Sequence, residues 1–173
     1  MTPEFSRPQR LDTIGAGESQ VRVEADAAER SALARRFGLI AIDRLAADFT
    51  IRRDAAGIIA RGRLSGAVVQ PCSVTGEPVP AKIEEDFAIR FVAEGEGSED
   101  ELELSADDCD TVFYTSGAVD LGEAAAETLA LALDPFPRST GAAAALREAG
   151  VLSEEEAGPF AALAKLKQPR NDG

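Results

Sequence analysis

Few residues in this sequence could perform catalysis, and they lie between positions 72 and 127. Histidine is absent, which removes the commonest general base and metal ligand and excludes Ser-His-Asp and Cys-His-Asn arrangements within the chain. The remaining candidates are two cysteines and two groups of carboxylates. They are Cys72, Cys109, the run Asp107-Asp108-Cys109-Asp110, and the pair Glu123 and Glu127.

The carboxylate groups could hold a divalent ion, but their spacing argues against it. Asp107, Asp108 and Asp110 offer the hard oxygen ligands that Mg²⁺ and Ca²⁺ prefer. They lack the glycine and the closing glutamate of a calcium-binding loop, so a solvated acidic loop is the favoured interpretation. Glu123 and Glu127 are like charges one helical turn apart, which we interpret as facing a partner or pairing with an arginine from residues 30–63. The sequence predicts no enzyme, no metal and no cofactor, and a metal-dependent enzyme is the least favoured hypothesis.

Cys72 lies in a turn, Pro71-Cys-Ser-Val-Thr-Gly-Glu-Pro78, between two expected strands. A nucleophilic cysteine needs a neighbour that stabilises the thiolate, and the sequence shows no cation close to this one. Two cysteines are too few for a structural zinc site or a disulfide scaffold, although the sequence allows a single disulfide between them. We therefore expect Cys72 to be a small, partly buried turn residue and the protein to be cytoplasmic.

The net charge of −13 is strongly segregated along the chain. Residues 93–134 hold thirteen acidic residues and no basic one. Residues 30–63 carry eight arginines, at positions 30, 35, 36, 44, 52, 53, 61 and 63. These arginines could bind RNA phosphates, or the chain's own carboxylates could neutralise them, and the sequence favours neither. Such segregation bears on partners rather than on fold.

Hydrophobic periodicity predicts five strands and two main helices. Residues 45–53 and 58–70 alternate in polarity around the turn Asp54-Ala-Ala-Gly57, so they should form a hairpin in which Arg53 pairs with Ile58. That register places Arg52, Arg61 and Arg63 on one exposed sheet face. The other expected elements are strands at 20–25, 83–92 and 111–114, a helix between Asp26 and Gly38, and a helix at 121–133 between Asp120 and Asp134-Pro135.

These elements predict an α+β fold: an antiparallel sheet, with barrel closure left open, two packed helices and an acidic loop. Residues 1–138 should form one domain, and 139–173 a flexible tail with short helices at 142–149 and 160–167. Residues 94–108 should be a mobile loop. No apolar run reaches 18 residues and residues 1–8 lack the apolar core of a signal peptide, so we expect no membrane association.

Several blocks of the sequence resemble the YceD family. They are Cys72-Ser-Val-Thr75-x-Glu77-Pro78-Val79, Phe87 and Phe91, Asp120-Leu121-Gly122, Glu127, and Leu129-x-Leu131-Ala132-Leu133-x-Pro135-x-Pro137. Further blocks resemble the alphaproteobacterial branch of that family. These are Glu4-Phe5-Ser6-Arg7-Pro8, Glu29-Arg30-x-x-Leu33-Ala34-x-Arg36-Phe37, and Pro159-Phe160-Ala161-Ala162-Leu163-x-x-Leu166-Lys167. Many relatives place a second cysteine three residues after the first, where this chain has Thr75.

The resemblance implies a non-enzymatic ribosome-biogenesis factor that supports accumulation of large-subunit rRNA. The first hypothesis is that its arginine face binds rRNA or a pre-ribosomal particle while the acidic loop at 94–110 faces a basic ribosomal protein. The second is that it holds one basic ribosomal protein without touching RNA. In either case we expect a monomer. The candidate RNA-binding residues are Arg35, Arg36, Arg52, Arg61 and Arg63; the candidate partner-binding residues are Asp107, Asp108, Asp110, Glu123 and Glu127; the motif turn comprises Cys72, Thr75, Glu77 and Pro78.

Overall fold

A computed structural model of the chain describes residues 3–95 and 109–152. It has an α+β fold, as predicted: β-strands follow one another along most of the chain, and the helices stand apart from them near its two ends. In chain order the elements are β1 (Pro8–Arg10), a 3₁₀ turn (Leu11–Thr13), β2 (Ser19–Glu24), α1 (Ala27–Phe37), β3 (Ala41–Asp54), β4 (Gly57–Pro71), β5 (Pro78–Ala93), β6 (Asp110–Tyr114), β7 (Ala118–Asp120), α2 (Leu121–Ala132) and α3 (Ala142–Glu148).

The main sheet has five strands in the order β2-β3-β4-β5-β6, and β1 pairs with β7 in a separate two-stranded ladder. Within the described residues β2 and β6 are edge strands, so the sheet is open and does not close into a barrel. The β2–β3 and β3–β4 pairs are antiparallel, whereas β6 runs parallel to β5. The predicted antiparallel sheet is therefore confirmed in its main part and is mixed at one edge.

The β3–β4 hairpin has the predicted register. Arg53 pairs with Ile58, and Phe49 lies opposite Gly62. Alternation places Leu45, Ala47, Phe49 and Ile51 in the core and their neighbours on the outer face. A register irregularity between Ile42 and Arg44 shifts the pairing by one residue before the strands continue.

Helix α1 begins and ends where its capping residues predict. The Asp26 side chain accepts a hydrogen bond from the Glu29 amide and the Glu29 carboxylate accepts one from the Asp26 amide, which completes a capping box. Gly38 ends the helix in the left-handed conformation, with φ of 66°. The buried face of α1 includes Leu33 and Ala34.

Helix α2 is also confirmed, and it begins in a more elaborate way than its sequence indicates. The Asp120 carboxylate accepts hydrogen bonds from the amides of Gly122 and Glu123. The Glu123 side chain binds Arg36. Small buried residues let α2 pack closely in the core. They are Gly122, Ala124, Ala125 and Ala126.

Contacts divide the chain into two compact units. The first comprises residues 1–70 and 80–135 and holds the hydrophobic core around Phe5, Phe49, Leu64, Leu121 and Leu129. The second comprises residues 71–79 and the chain from residue 136 onward, in which α3 forms. Most of the predicted loop at 94–108 and the predicted helix at 160–167 lie outside the described residues. Among residues 3–95 and 109–152, none of the helices combines the length and the apolar content that crossing a bilayer needs.

Candidate partner-binding surfaces

Carboxylates on neighbouring strands pair with the arginines of the outer sheet face. Arg22 on β2 binds Asp48 on β3, with 2.7 Å between the guanidinium nitrogen and the carboxylate oxygen. Arg63 on β4 contacts both Glu84 at 3.2 Å and Asp86 at 3.3 Å on β5. The hydrogen bond that Arg63 donates to Glu84 and the negative charge of Asp86 raise the pKa of Arg63. Much of this face is thus an array of exposed ion pairs.

The remaining arginines of the face differ in how far they are neutralised. Arg52 lies 3.8 Å from Asp54, a carboxylate that also binds Arg90 at 2.9 Å. Arg61 is exposed and has no carboxylate within ion-pair distance in the described part of the chain. The structure therefore places Arg52, Arg61 and Arg63 on the face where the sequence predicted them. Of these three, Arg61 alone has no acidic partner within residues 3–95 and 109–152.

Arg35 and Arg36, both at the end of α1, have different environments. Arg36 binds Glu123 of α2 at 2.7 Å and Glu4 at 3.1 Å, and these carboxylates raise its pKa. Arg35 is exposed and pairs with no acidic residue among those described. Arg36, a predicted RNA-binding residue, therefore binds Glu123, a predicted partner-binding residue. Pairing with an arginine was one of the two interpretations that the sequence allowed for Glu123.

The other predicted acidic residues have no cationic partner where they are described. Glu127 is exposed on α2, and its pKa is raised by partial desolvation and by the Glu123 carboxylate one turn away. Asp110 is exposed at the start of β6. Asp107 and Asp108 lie outside the described residues. No group of three or more cysteine, aspartate or glutamate side chains within residues 3–95 and 109–152 could surround a metal ion.

A polar network that sequence reasoning missed ties the N-terminal segment to both main helices. The Ser6 hydroxyl and the Arg7 amide donate to the Asp120 carboxylate at the start of α2. The Arg7 guanidinium donates two hydrogen bonds to Glu29 on α1, at 2.7 and 2.9 Å, and stacks over the Phe5 ring. The resemblance had marked Glu4–Pro8 as a block, but nothing local in the sequence indicates where Arg7 binds.

Cys72 lies in a hydrogen-bonded turn within the second unit. Its buried sulfur accepts from the Ser139 amide at 3.2 Å and from the Thr75 and Val74 amides at 3.4 and 3.5 Å. Hydrogen bonds from Ser139 and Thr75 lower the pKa of the Cys72 thiol to about 6. Sequence reasoning looked for a nearby cation and not for amide donors. Val74 and Thr75 lie within three residues of Cys72, whereas Ser139, which makes the shortest of the three contacts, is 67 residues away.

The same turn places the rest of the predicted motif around one carboxylate. The Glu77 side chain accepts from the Ser139 hydroxyl at 2.7 Å and from the Thr75 hydroxyl at 2.9 Å, and these bonds lower its pKa. The Ser73 amide donates to the Pro137 carbonyl, and the Cys72 amide donates to the Glu77 carbonyl. The motif thus holds residues 137–139 against the turn by hydrogen bonds.

We expect Cys72 to titrate well below an ordinary thiol. Its ultraviolet thiolate absorbance, measured in a Cys109→Ser background, should rise with a midpoint near pH 6 rather than near the ordinary value of 9.0. Because the folded-state pKa is depressed, the stability that the thiolate supplies should be present above the unfolded pKa and disappear as pH falls through about 6. Cys72→Ser should abolish both signals, and a midpoint near 9 would contradict this account.

One comparison with known proteins finds a match to this chain. A family model described as large ribosomal RNA subunit accumulation protein YceD matches residues 60–167. The matched range starts within β4 and includes the Cys72 turn, β5, β6 and α2, while the N-terminal segment and α1 precede it. No curated protein and no solved structure matches the chain.

Proposed function

The chain belongs to the YceD family of large ribosomal RNA subunit accumulation proteins, and we propose that it acts in this role by binding and not by catalysis. The partner we propose is a basic protein of the large subunit. The chain would act as a monomer in the cytoplasm and would hold that protein while the subunit assembles.

The observation that carries this proposal is the contrast between the paired arginines and the unpaired carboxylates. Arg36, Arg52 and Arg63 already contact carboxylates of this chain. Asp110 and Glu127 are exposed and have no cationic partner among the described residues. At these three arginines an RNA phosphate would have to displace existing partners, and it would approach a chain of net charge −13. A basic protein meets complementary charge, which favours both fast association and specificity.

The test is whether capture of a ribosomal protein survives removal of RNA. The purified full-length chain is immobilised, incubated with total protein of dissociated large subunits, and treated with ribonuclease before washing. We expect one or a few basic ribosomal proteins to remain bound and to be released as salt concentration rises. Loss of every captured protein on ribonuclease treatment would contradict the proposal.

Direct RNA binding is the second candidate function, since Arg35 and Arg61 are exposed and have no carboxylate partner in the described residues. On this alternative, Arg52→Glu combined with Arg61→Glu should abolish capture of large-subunit rRNA. Arg138→Glu combined with Arg147→Glu makes the same charge change on the second unit and should leave capture intact. If the Arg52→Glu, Arg61→Glu variant captures as much rRNA as the wild type, and salt does not weaken that capture, this surface is excluded as the RNA-binding site.

A further inference from the structure

One edge of β5 is only partly covered by its neighbouring strand. Strand β6 pairs with β5 from Ile89, opposite Asp110, to Ala93, opposite Tyr114. No other strand in the described residues lies on that side of β5. Among the described residues, then, no strand pairs with residues 80–88 on that side of β5, and a strand edge of this kind can pair with another chain.

A groove runs beside this free edge, between β5, the start of β6 and the C-terminal half of α2. It encloses about 210 Å³ and is lined by Glu85, Phe87, Ala88, Asp110 and Leu131, among others. Small-molecule sites usually enclose roughly 300–1,000 Å³, so this groove suits one or two side chains better than a small ligand. Leu131 is 81% exposed and lies beside the apolar side chains of Phe87 and Ala88 in the groove lining.

The charged residues that line the groove are all acidic. Asp86 is engaged by Arg63, whereas Glu85 and Asp110 are exposed and form no ion pair with any described residue. Residues 93–134, which supply Asp110 and the α2 side of the groove, contain no lysine or arginine. The groove therefore combines an apolar floor with a negative rim and offers nothing that would attract an anion.

We propose that this groove is the docking site for an extended basic segment of the partner protein, and this inference rests on the function proposed above. The segment would add a strand to β5 at residues 80–88. Its lysine or arginine side chains would pair with Glu85 and Asp110, and one apolar side chain would pack on Leu131. Pairing of the backbone with β5 supplies affinity, and alternate side chains of the segment, which enter the groove, supply specificity.

The test uses the immobilised full chain and the total protein of dissociated large subunits. Two variants alter the groove: Glu85→Lys with Asp110→Lys, and Leu131→Asp. Each should weaken capture by about tenfold or more, because the first places like charges together and the second puts a charge against the partner's apolar side chain. A matched control, Glu18→Lys with Asp43→Lys, makes the same charge change outside the groove and should leave capture within about twofold. Thermal unfolding of each variant verifies that it is folded.

Amide hydrogen exchange provides a readout that a loss of stability would not imitate. In the wild-type complex, amides of residues 80–88 should become protected, while those of edge strand β2 should not change. If the wild type and both groove variants capture equal amounts of ribosomal protein, and the amides of residues 80–88 are not protected from exchange, the groove is not the docking site. The proposed function would then still stand. Failure of the wild type to capture any ribosomal protein would instead remove the proposed function and the groove's partner together.

Discussion

Gly62→Ala is expected to lower the free energy of unfolding by about 3 kcal/mol or more, because the added methyl group has no room. A Cβ atom at position 62 would overlap the Asp48 carbonyl oxygen and lie 2.8 Å from Cζ of Phe87. The first neighbour is backbone of β3 and the second is a ring packed on Phe49, with centroids 4.9 Å apart. The Asp48 carbonyl cannot move without separating the central strands, so urea unfolding should show a large loss of stability.

Two other glycines provide graded controls for this substitution. A Cβ at Gly66 would lie 3.2 Å from Cδ1 of Leu129, a flexible side-chain end, so Gly66→Ala should cost less. A Cβ at Gly117 would meet nothing within 4 Å, and Gly117→Ala should change stability by no more than about 0.5 kcal/mol. Similar losses for all three variants would contradict the close packing described for Gly62.

Asp120→Ala is expected to cost about 2–3 kcal/mol, since one carboxylate serves both as a helix cap and as an anchor for the N-terminal segment. Its Oδ1 atom accepts from the amides of Arg7 at 2.8 Å, Gly122 at 3.0 Å and Glu123 at 3.1 Å. The Ser6 hydroxyl donates to the other oxygen. Alanine would leave these donors without an acceptor at the start of α2.

Two conservative variants separate the roles of Asp120. Asp120→Asn keeps one acceptor oxygen and should retain much of the cap, whereas Ser6→Ala removes a single donor and should cost about 1 kcal/mol. Chemical denaturation measures all three variants, and hydrogen exchange at β1 should increase most in Asp120→Ala. If the Asp120→Ala protein is as stable as the Ser6→Ala protein, then Asp120 does not stabilise the fold both as the cap of α2 and as the anchor of the N-terminal segment.

Much of the fold could be predicted because its signals are local. The Asp26–Glu29 capping box and Gly38 bound α1, and the turn at residues 54–57 sets the hairpin register. The ladder of β1 with β7 was missed because strands of three residues are too short to show alternation. The parallel direction of β6 was also missed, since residue pattern alone does not specify which neighbour a short strand joins.

The candidate surfaces were predicted less completely, because their properties depend on contacts between distant residues. The sequence placed Arg63 on the outer face but could not show that Glu84 and Asp86 pair with it. Likewise, the Ser139 amide that helps lower the pKa of Cys72 comes from the far end of the chain. The charge pattern therefore predicted which residues could meet a partner, but only the structure shows which of them remain unpaired.

The most direct test of the central claim is the ratio of large- to small-subunit rRNA in cells that lack this protein. We expect the ratio to fall and to be restored by the wild-type gene, since the family is one of large ribosomal RNA subunit accumulation proteins. Restoration should also occur with the Glu18→Lys, Asp43→Lys control and should fail with Glu85→Lys, Asp110→Lys. An unchanged ratio in the deletion strain, at both slow and fast growth, would contradict the account.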